Sequence, residues 1–312
     1  MAILKDELKG FVPAEQAKDI IKGIAQGSIL MKLSNVTDMN SDTKVLNVLT
    51  DGAGAYWVGE GERIQTSKAT WIHPELKAKK LAVIIPVTKE KLEDSTINVF
   101  AELKDQISEA FYKAFDSAGL FGTNSPFDTN IMKSATDAGN LVQLGTNGEG
   151  KLDLDVSDAM ALVEEEDLDV TAFAARKAIK NSLRKLRDAN GNQLFANGVS
   201  GTEFYNEPIE FASKGVWDAE KAELIGGDFK KYSHVGIRDG ISYEILTEAT
   251  LQNTLAEDGK PISLAEQDLV AIKATMRIGY LVVKDEAFTA VTPSTPENGG
   301  DTPENGEDTP EI

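Results

Sequence analysis

The chain has 312 residues, 41% hydrophobic and 27% charged, which is ordinary for a soluble globular protein and long enough to bury a large core in one or two domains. Fifty-one acidic residues against 32 basic ones leave a formal net charge of -19, which argues against a nucleic-acid-binding surface, because counterion release needs clustered Lys and Arg. With no cysteine there can be no disulfide, thiolate nucleophile or cysteine-based zinc site.

The opening residues, MAILKDELKG, put Asp6 and Glu7 where a secretory signal needs basic and then apolar residues, so a cytoplasmic product is expected. Residues 1–50 read as an arm, with Ala17, Ile20, Ile21 and Ile24 at helical spacing interrupted by Gly23 and Gly27. The cluster Asp51, Gly52 and Gly54 is expected to turn the chain into a long β-hairpin that carries Tyr56, Trp57 and Trp71. This ribbon is too polar to own a core. An isolated two-stranded ribbon is marginal in water, and large exposed aromatics call for a cover, so another copy of the same chain is the expected cover. The second hairpin strand runs through Lys77, Lys79 and Lys80 into Leu81 to Ile85, which reads as fully buried, and Pro86 marks a strand end or edge. The longest apolar run, Leu81 to Val87, falls far short of the ~20 residues that span a bilayer, so no membrane contact is expected.

The stretch INVFAELKDQISEAFYKAFDSAGLF predicts a long helix, with Phe100, Leu103, Ile107, Ala110, Phe111, Ala114 and Ala118 on one stripe and Gly119 as its stop. At ~1.5 Å per residue it extends on the order of 30 Å. Residues 123–150, rich in Asn, Gly, Ser and Thr, predict a connecting hairpin and loops. A second lobe then begins: DVSDAMALVEEED reads as a short helix with Asp155 as N-cap, followed by apolar Val170 to Ala174 and a basic helix from Ala175 to Arg187. Asn190-Gly191 marks a turn, 197–202 a loop, and Tyr232 to Leu246 two strand-like runs punctuated by Arg238, Asp239 and Gly240. The clearest strand follows, where Val270, Ile272, Ala274, Met276, Ile278, Tyr280 and Val282 alternate with mostly smaller or polar residues. The fold is expected to end after Phe288. The repeats TPENGGD, TPENGED and TPEI then form an acidic tail whose composition predicts disorder.

No enzyme motif emerges. His73 and His234 stand alone, there is no nucleophile elbow or Walker loop, and GAGAYW lacks the third glycine and following helix of a dinucleotide site. Asp153, Asp155, Ser157 and Glu164 mimic a calcium loop, but Asp158 stands where that loop needs glycine and the segment reads as a helix. Arg176, Lys177, Lys180, Arg184, Lys185 and Arg187 circle their helix rather than line one face, which suits solubility or a subunit salt bridge better than phosphate. No catalytic residue, cofactor or metal is therefore expected.

The order of arm, aromatic hairpin, long helix, second lobe and long final strand resembles the major capsid proteins of tailed bacteriophages, the Hong Kong 97 type. GAYWVGEGERIQTSKATW looks like the extended loop of that family, AVIIPVTKEKL like its return strand, EAFYKAFDSAGLFG like the end of its spine helix, and LIGGDFKKY and LAEQDLVAIKATMRIGYLVVKDEAF like its closing segments. The resemblance runs from about Ala55 to Phe288. It implies an α+β fold with an N-terminal arm (1–50), an extended loop (51–87), a peripheral domain with the spine helix (88–153), an axial α/β domain (154–257), a closing peripheral strand (258–291) and the tail (292–312). It further implies hexamers and pentamers of an icosahedral head in which Tyr56, Trp57, Glu60, Glu62, Arg63, Lys68 and Trp71 contact a neighbouring subunit. Portal protein, and packaged double-stranded DNA held by weak non-specific contact, would be the other partners, with assembly in the host bacterial cytoplasm. Larger members of the family begin with an assembly-guiding domain. Here only a short arm precedes the hairpin, so a separate scaffolding protein is expected. Some members join a loop lysine to a neighbour's asparagine; Lys68 is the lysine so placed, without an identifiable Asn and Glu to match. The competing readings are an encapsulin, a bacterial compartment shell of the same fold, and a cytoplasmic hydrolase with a site built from distant acids.

Overall fold

The computed structural model describes residues 24, 27–51, 56–61, 63, 66–68, 70–90, 99–148, 150–187, 190–192, 203–213, 215–255 and 261–294. A short helix α1 (Ile29–Leu33) opens the described chain, capped by the Ser28 hydroxyl, which accepts from the Met31 amide. Strands β1 (Asn35–Asp38), β2 (Thr43–Val45), β3 (Val48–Asp51), β4 (Thr70–Ile72) and β5 (Glu75–Thr88) follow, and then the long helix α2 (Val99–Phe121). Next come α3 (Ile131–Asp137), β6 (Leu141–Gln143), α4 (Leu152–Glu164), β7 (Ala172–Arg176), α5 (Ile179–Lys185), β8 (Glu203–Phe204), β9 (Glu207–Ala212) and β10 (Leu224–Gly227). The chain closes with α6 (Phe229–Tyr232), β11 (Ser233–Leu246), β12 (Thr250–Leu255), β13 (Pro261–Ser263), β14 (Leu269–Val282), a 3₁₀ turn at Asp285–Ala287 and β15 (Phe288–Thr292).

Two sheets organise these elements. Five strands lie in the order β1-β11-β14-β5-β2, antiparallel except for the parallel β1–β11 pair. Six shorter strands lie in the order β6-β15-β10-β7-β9-β8 and mix parallel with antiparallel pairs. The alternation expected along β14 holds: Val270, Ile272, Ala274, Met276, Ile278, Tyr280 and Val282 are all buried. Tyr280 meets Phe115 of α2 edge-on at 6.1 Å, so the long helix packs on that face. One buried cluster runs on from here through Phe173, Phe229 and Phe288 of the six-stranded sheet and its α6 neighbour.

Several expectations need correction. The long helix passes through Gly119 and stops at Gly122, whose φ of 71° is a left-handed C-terminal conformation. Gly119 serves packing instead: a Cβ there would lie 2.4 Å from Leu30 Cδ1. Ala110 and Ala114, placed on the apolar stripe, are exposed, and Phe115 and Asp116 are buried in their stead. The 123–150 stretch contains α3, capped by the Asn130 side chain, which accepts from the Lys133 amide. Asp155 is no N-cap; it lies inside α4 and is fully buried. The run Leu81 to Ile85 is not buried throughout, because β5 pairs with β14 along one edge and shows Ala82 and Ile84 to solvent. Pro86 lies within β5, where that strand has β14 on one side and no partner on the other among the described residues, so its missing N–H is harmless. The two runs in Tyr232 to Leu246 are one strand whose register shifts at Asp239. The fold continues past Phe288: β15 sits between β6 and β10, with Phe288, Ala290 and Val291 buried. Across the two sheets, β11 joins β5 and β14, while β6 and β15 join β7 and β10. Beyond Ser294 the acidic tail lies outside the described residues, as do most of the arm before Ile24 and the 197–202 loop.

Candidate functional site

The aromatic arm is built from a narrow base. Strands β3 and β4 pair antiparallel with Leu49 opposite Trp71 and Val48 opposite Ile72. The outgoing strand therefore precedes Gly52, upstream of where the composition placed it, and Tyr56 and Trp57 lie outside any strand. Below this pair the His73 ring bonds the Asn47 side chain at 2.8 Å and the Leu46 amide donates to Pro74 O at 2.9 Å.

What fixes the base is Leu76, fully buried at the start of β5. It fills a socket made by Gly236 of β11 and Gly279 of β14, which pair directly, with the buried Met39 beside it. A Cβ on Gly236 would lie 2.7 Å from Leu76 Cδ2, and one on Gly279 would lie 2.8 Å from the Lys77 carbonyl oxygen. Neither Leu76 nor the glycines figured among the residues expected to matter. Their signal was two glycines inside otherwise apolar strand patterns, which marks a close approach of backbone or side chain. Gly279→Ala is expected to destabilise the unassembled chain by about 1–3 kcal/mol, because the obstructing atom is backbone and cannot rotate away. Urea unfolding checks it; an unchanged midpoint would refute the socket.

Above the base, the arm offers apolar surface to solvent. Trp57 is 104% exposed, Tyr56 and Trp71 are each 54% exposed, and Val45, Leu49, Val58 and Ile72 are exposed beside them. Glu60, Arg63 and Lys68 are exposed on the same loop, and Glu62 lies outside the described residues. Single exposed hydrophobics are ordinary, whereas a run of them with charged neighbours marks an interaction surface. The arrangement presents apolar area that a second surface can cover.

His234 bonds the Lys231 carbonyl at 3.1 Å, and burial pulls its imidazole below the usual range. Asp153, Asp155, Ser157 and Glu164 stand along the single helix α4 rather than around a loop. Asp155 closes the preceding turn, accepting from the Gly145 amide at 2.7 Å, the Asn147 amide at 3.0 Å and Asn147 Nδ2 at 3.1 Å. In the basic segment, Arg176 reaches Glu223 at 2.6 Å and Lys180 Nζ lies 4.1 Å from the Phe211 ring centroid.

A model of the phage capsid family matches residues 9–292 of the chain. The chain is 33% identical over 293 residues to the major capsid protein of Staphylococcus phage 80alpha, covering 94% of this chain and 88% of that protein. Among solved structures, a chain from Microbacterium phage Oxtober96 is similar with a TM-score of 0.73 at 29% identity, covering 86% of this chain and 91% of that one. A chain from Mycobacterium phage Adephagia gives a TM-score of 0.72 at 27% identity, covering 95% and 99% respectively.

Proposed function

The chain belongs to the phage capsid family and is a tailed-phage major capsid protein with the α+β fold of Hong Kong 97-type shells, and from that premise we propose that its exposed aromatic arm is the contact through which copies join. The chain is thus a shell-forming component of a virion. The relatives it matches are phage capsid proteins, which sets the encapsulin reading aside. The observation that carries the assembly proposal is Trp57, an indole wholly in solvent on an arm without a core.

In this reading Tyr56, Trp57 and Trp71 lie over a neighbouring subunit, with Glu60, Glu62, Arg63 and Lys68 as a charged rim that sets orientation. Copies would gather into hexamers and pentamers in the host cytoplasm, guided by a separate scaffolding protein and closed around a portal. The net charge of -19 suits a container that encloses DNA without holding it. The role is structural, with no catalytic step assigned to any residue. Electron microscopy and light scattering of the purified chain, alone and with a scaffolding partner, test this: closed shells or rings are expected. A chain that stays monomeric at high concentration under both conditions would refute the proposal.

A further inference from the structure

We infer that the acidic segment following Ser294 docks back onto its own chain, with Glu297 entering a basic cavity between α4 and α5. The cavity, of about 800 Å³, is within the size range of pockets that enclose small ligands. Lys151, Arg176 and Lys185 line it, and so do the acids Asp155 and Glu223. Both acids are already committed. Asp155 takes its three loop donors, and the buried Glu223 pairs with one nitrogen of Arg176 at 2.6 Å. Arg176 Nε is buried without a hydrogen-bond partner among the described residues. Among the described residues Lys151 and Lys185 make no ion pair either, so the described lining, three cations against two acids, has a local excess of positive charge in a chain of net charge -19.

The described chain ends at this cavity. Strand β15 runs parallel to β6, the Leu144 amide donates to Thr292 O at 2.9 Å, and Ser294 itself lines the cavity. Glu297 is three residues further on, a reach of about 10 Å at ~3.3 Å per residue. Tethering so short gives an effective concentration in the millimolar range or above, so even a weak carboxylate contact is populated. A nucleic-acid phosphate fits less well, since two acids share the cavity wall and the whole molecule repels polyanions.

The sequence contains its own control, because the five residues TPENG occur twice, at 295–299 and at 302–306. A protease specific for glutamate meets two bonds with the same local sequence, after Glu297 and after Glu304. In the full-length chain at low salt, the bond after Glu297 is expected to be cut at least about fivefold more slowly than the bond after Glu304, in a ratio read by mass spectrometry. The two rates should converge in high salt, which screens the contact, and in the double variant Lys151→Glu with Lys185→Glu. Arg176 is left intact in that variant, so that Glu223 is not stranded. Equal rates in the unmodified chain would overturn the inference. So would protection that survives the double variant, which would place the tail elsewhere, or protection lost on diluting the unassembled chain, which would place it on a second copy.

Discussion

Trp57→Ala is expected to raise the concentration needed for shell assembly by at least about thirtyfold while leaving the melting temperature of the unassembled chain unchanged. A buried tryptophan covers roughly 150–250 Å², and interface anchors of this kind are commonly worth about 2 kcal/mol or more, which is about thirtyfold in an association constant. Because the residue is 104% exposed, nothing in its own chain loses packing when it is cut back. Leu76→Ala supplies the contrast: this side chain is fully buried in the glycine socket, and its loss should cost about 2–5 kcal/mol of folding stability. Assembly by light scattering and melting by circular dichroism separate the two. If Trp57→Ala melts early, or assembles as well as the parent, the arm is not the contact.

What could be read in the sequence was whatever depends on local periodicity. Strand β14 was legible because one face packs against α2 while Lys273, Thr275 and Arg277 on the other stay half-buried, so its alternation is written into consecutive residues. The exposed arm was legible as a group of aromatics with too little apolar surface around them. Features set by distant neighbours were not. Gly119 looks like a helix stop but is a contact with Leu30, nearly ninety positions away in sequence, and only the positive φ of Gly122 shows where the helix ends. An acid near a helix start reads the same whether it caps that helix or, like Asp155, turns inward to hold the loop before it. Strand β15 is short and buried on both faces in the middle of a mixed sheet, so it has no alternation to betray it. Leu76 is a lone leucine among lysines, and its importance exists only once β11 and β14 bring their glycines together.

Asp116 presents the same difficulty with a larger consequence, for a single acid in the apolar stripe of α2 is what secures α1 to the long helix. Its carboxylate accepts from the Ser28 hydroxyl at 2.6 Å, the Ile29 amide at 2.9 Å and the Leu30 amide at 3.3 Å, so it supplies the first turn of α1 with acceptors from another element. Burial pushes its carboxyl up to about 7 from the ordinary 3.8, against the pull of these donors and of Lys32 nearby; Tyr280 packs close by, its own hydroxyl bonded to Ser233. The unfolded chain therefore loses this proton near pH 4, and the folded chain holds it to about pH 7. The contribution to stability is fully present below about pH 4 and is lost as pH rises through about 7, by up to ~4 kcal/mol at ~1.4 kcal/mol per unit. Asp116→Asn keeps the shape but cannot titrate, so its stability relative to the parent should rise steadily between pH 4 and pH 7 and then level off. Asp116→Ala should cost about 3 kcal/mol at pH 4, since it leaves those three donors without their acceptor. Urea unfolding of the unassembled chain at several pH values measures both, and a parent-to-Asn difference that stays constant from pH 4 to pH 7 would show that Asp116 does not titrate in that range.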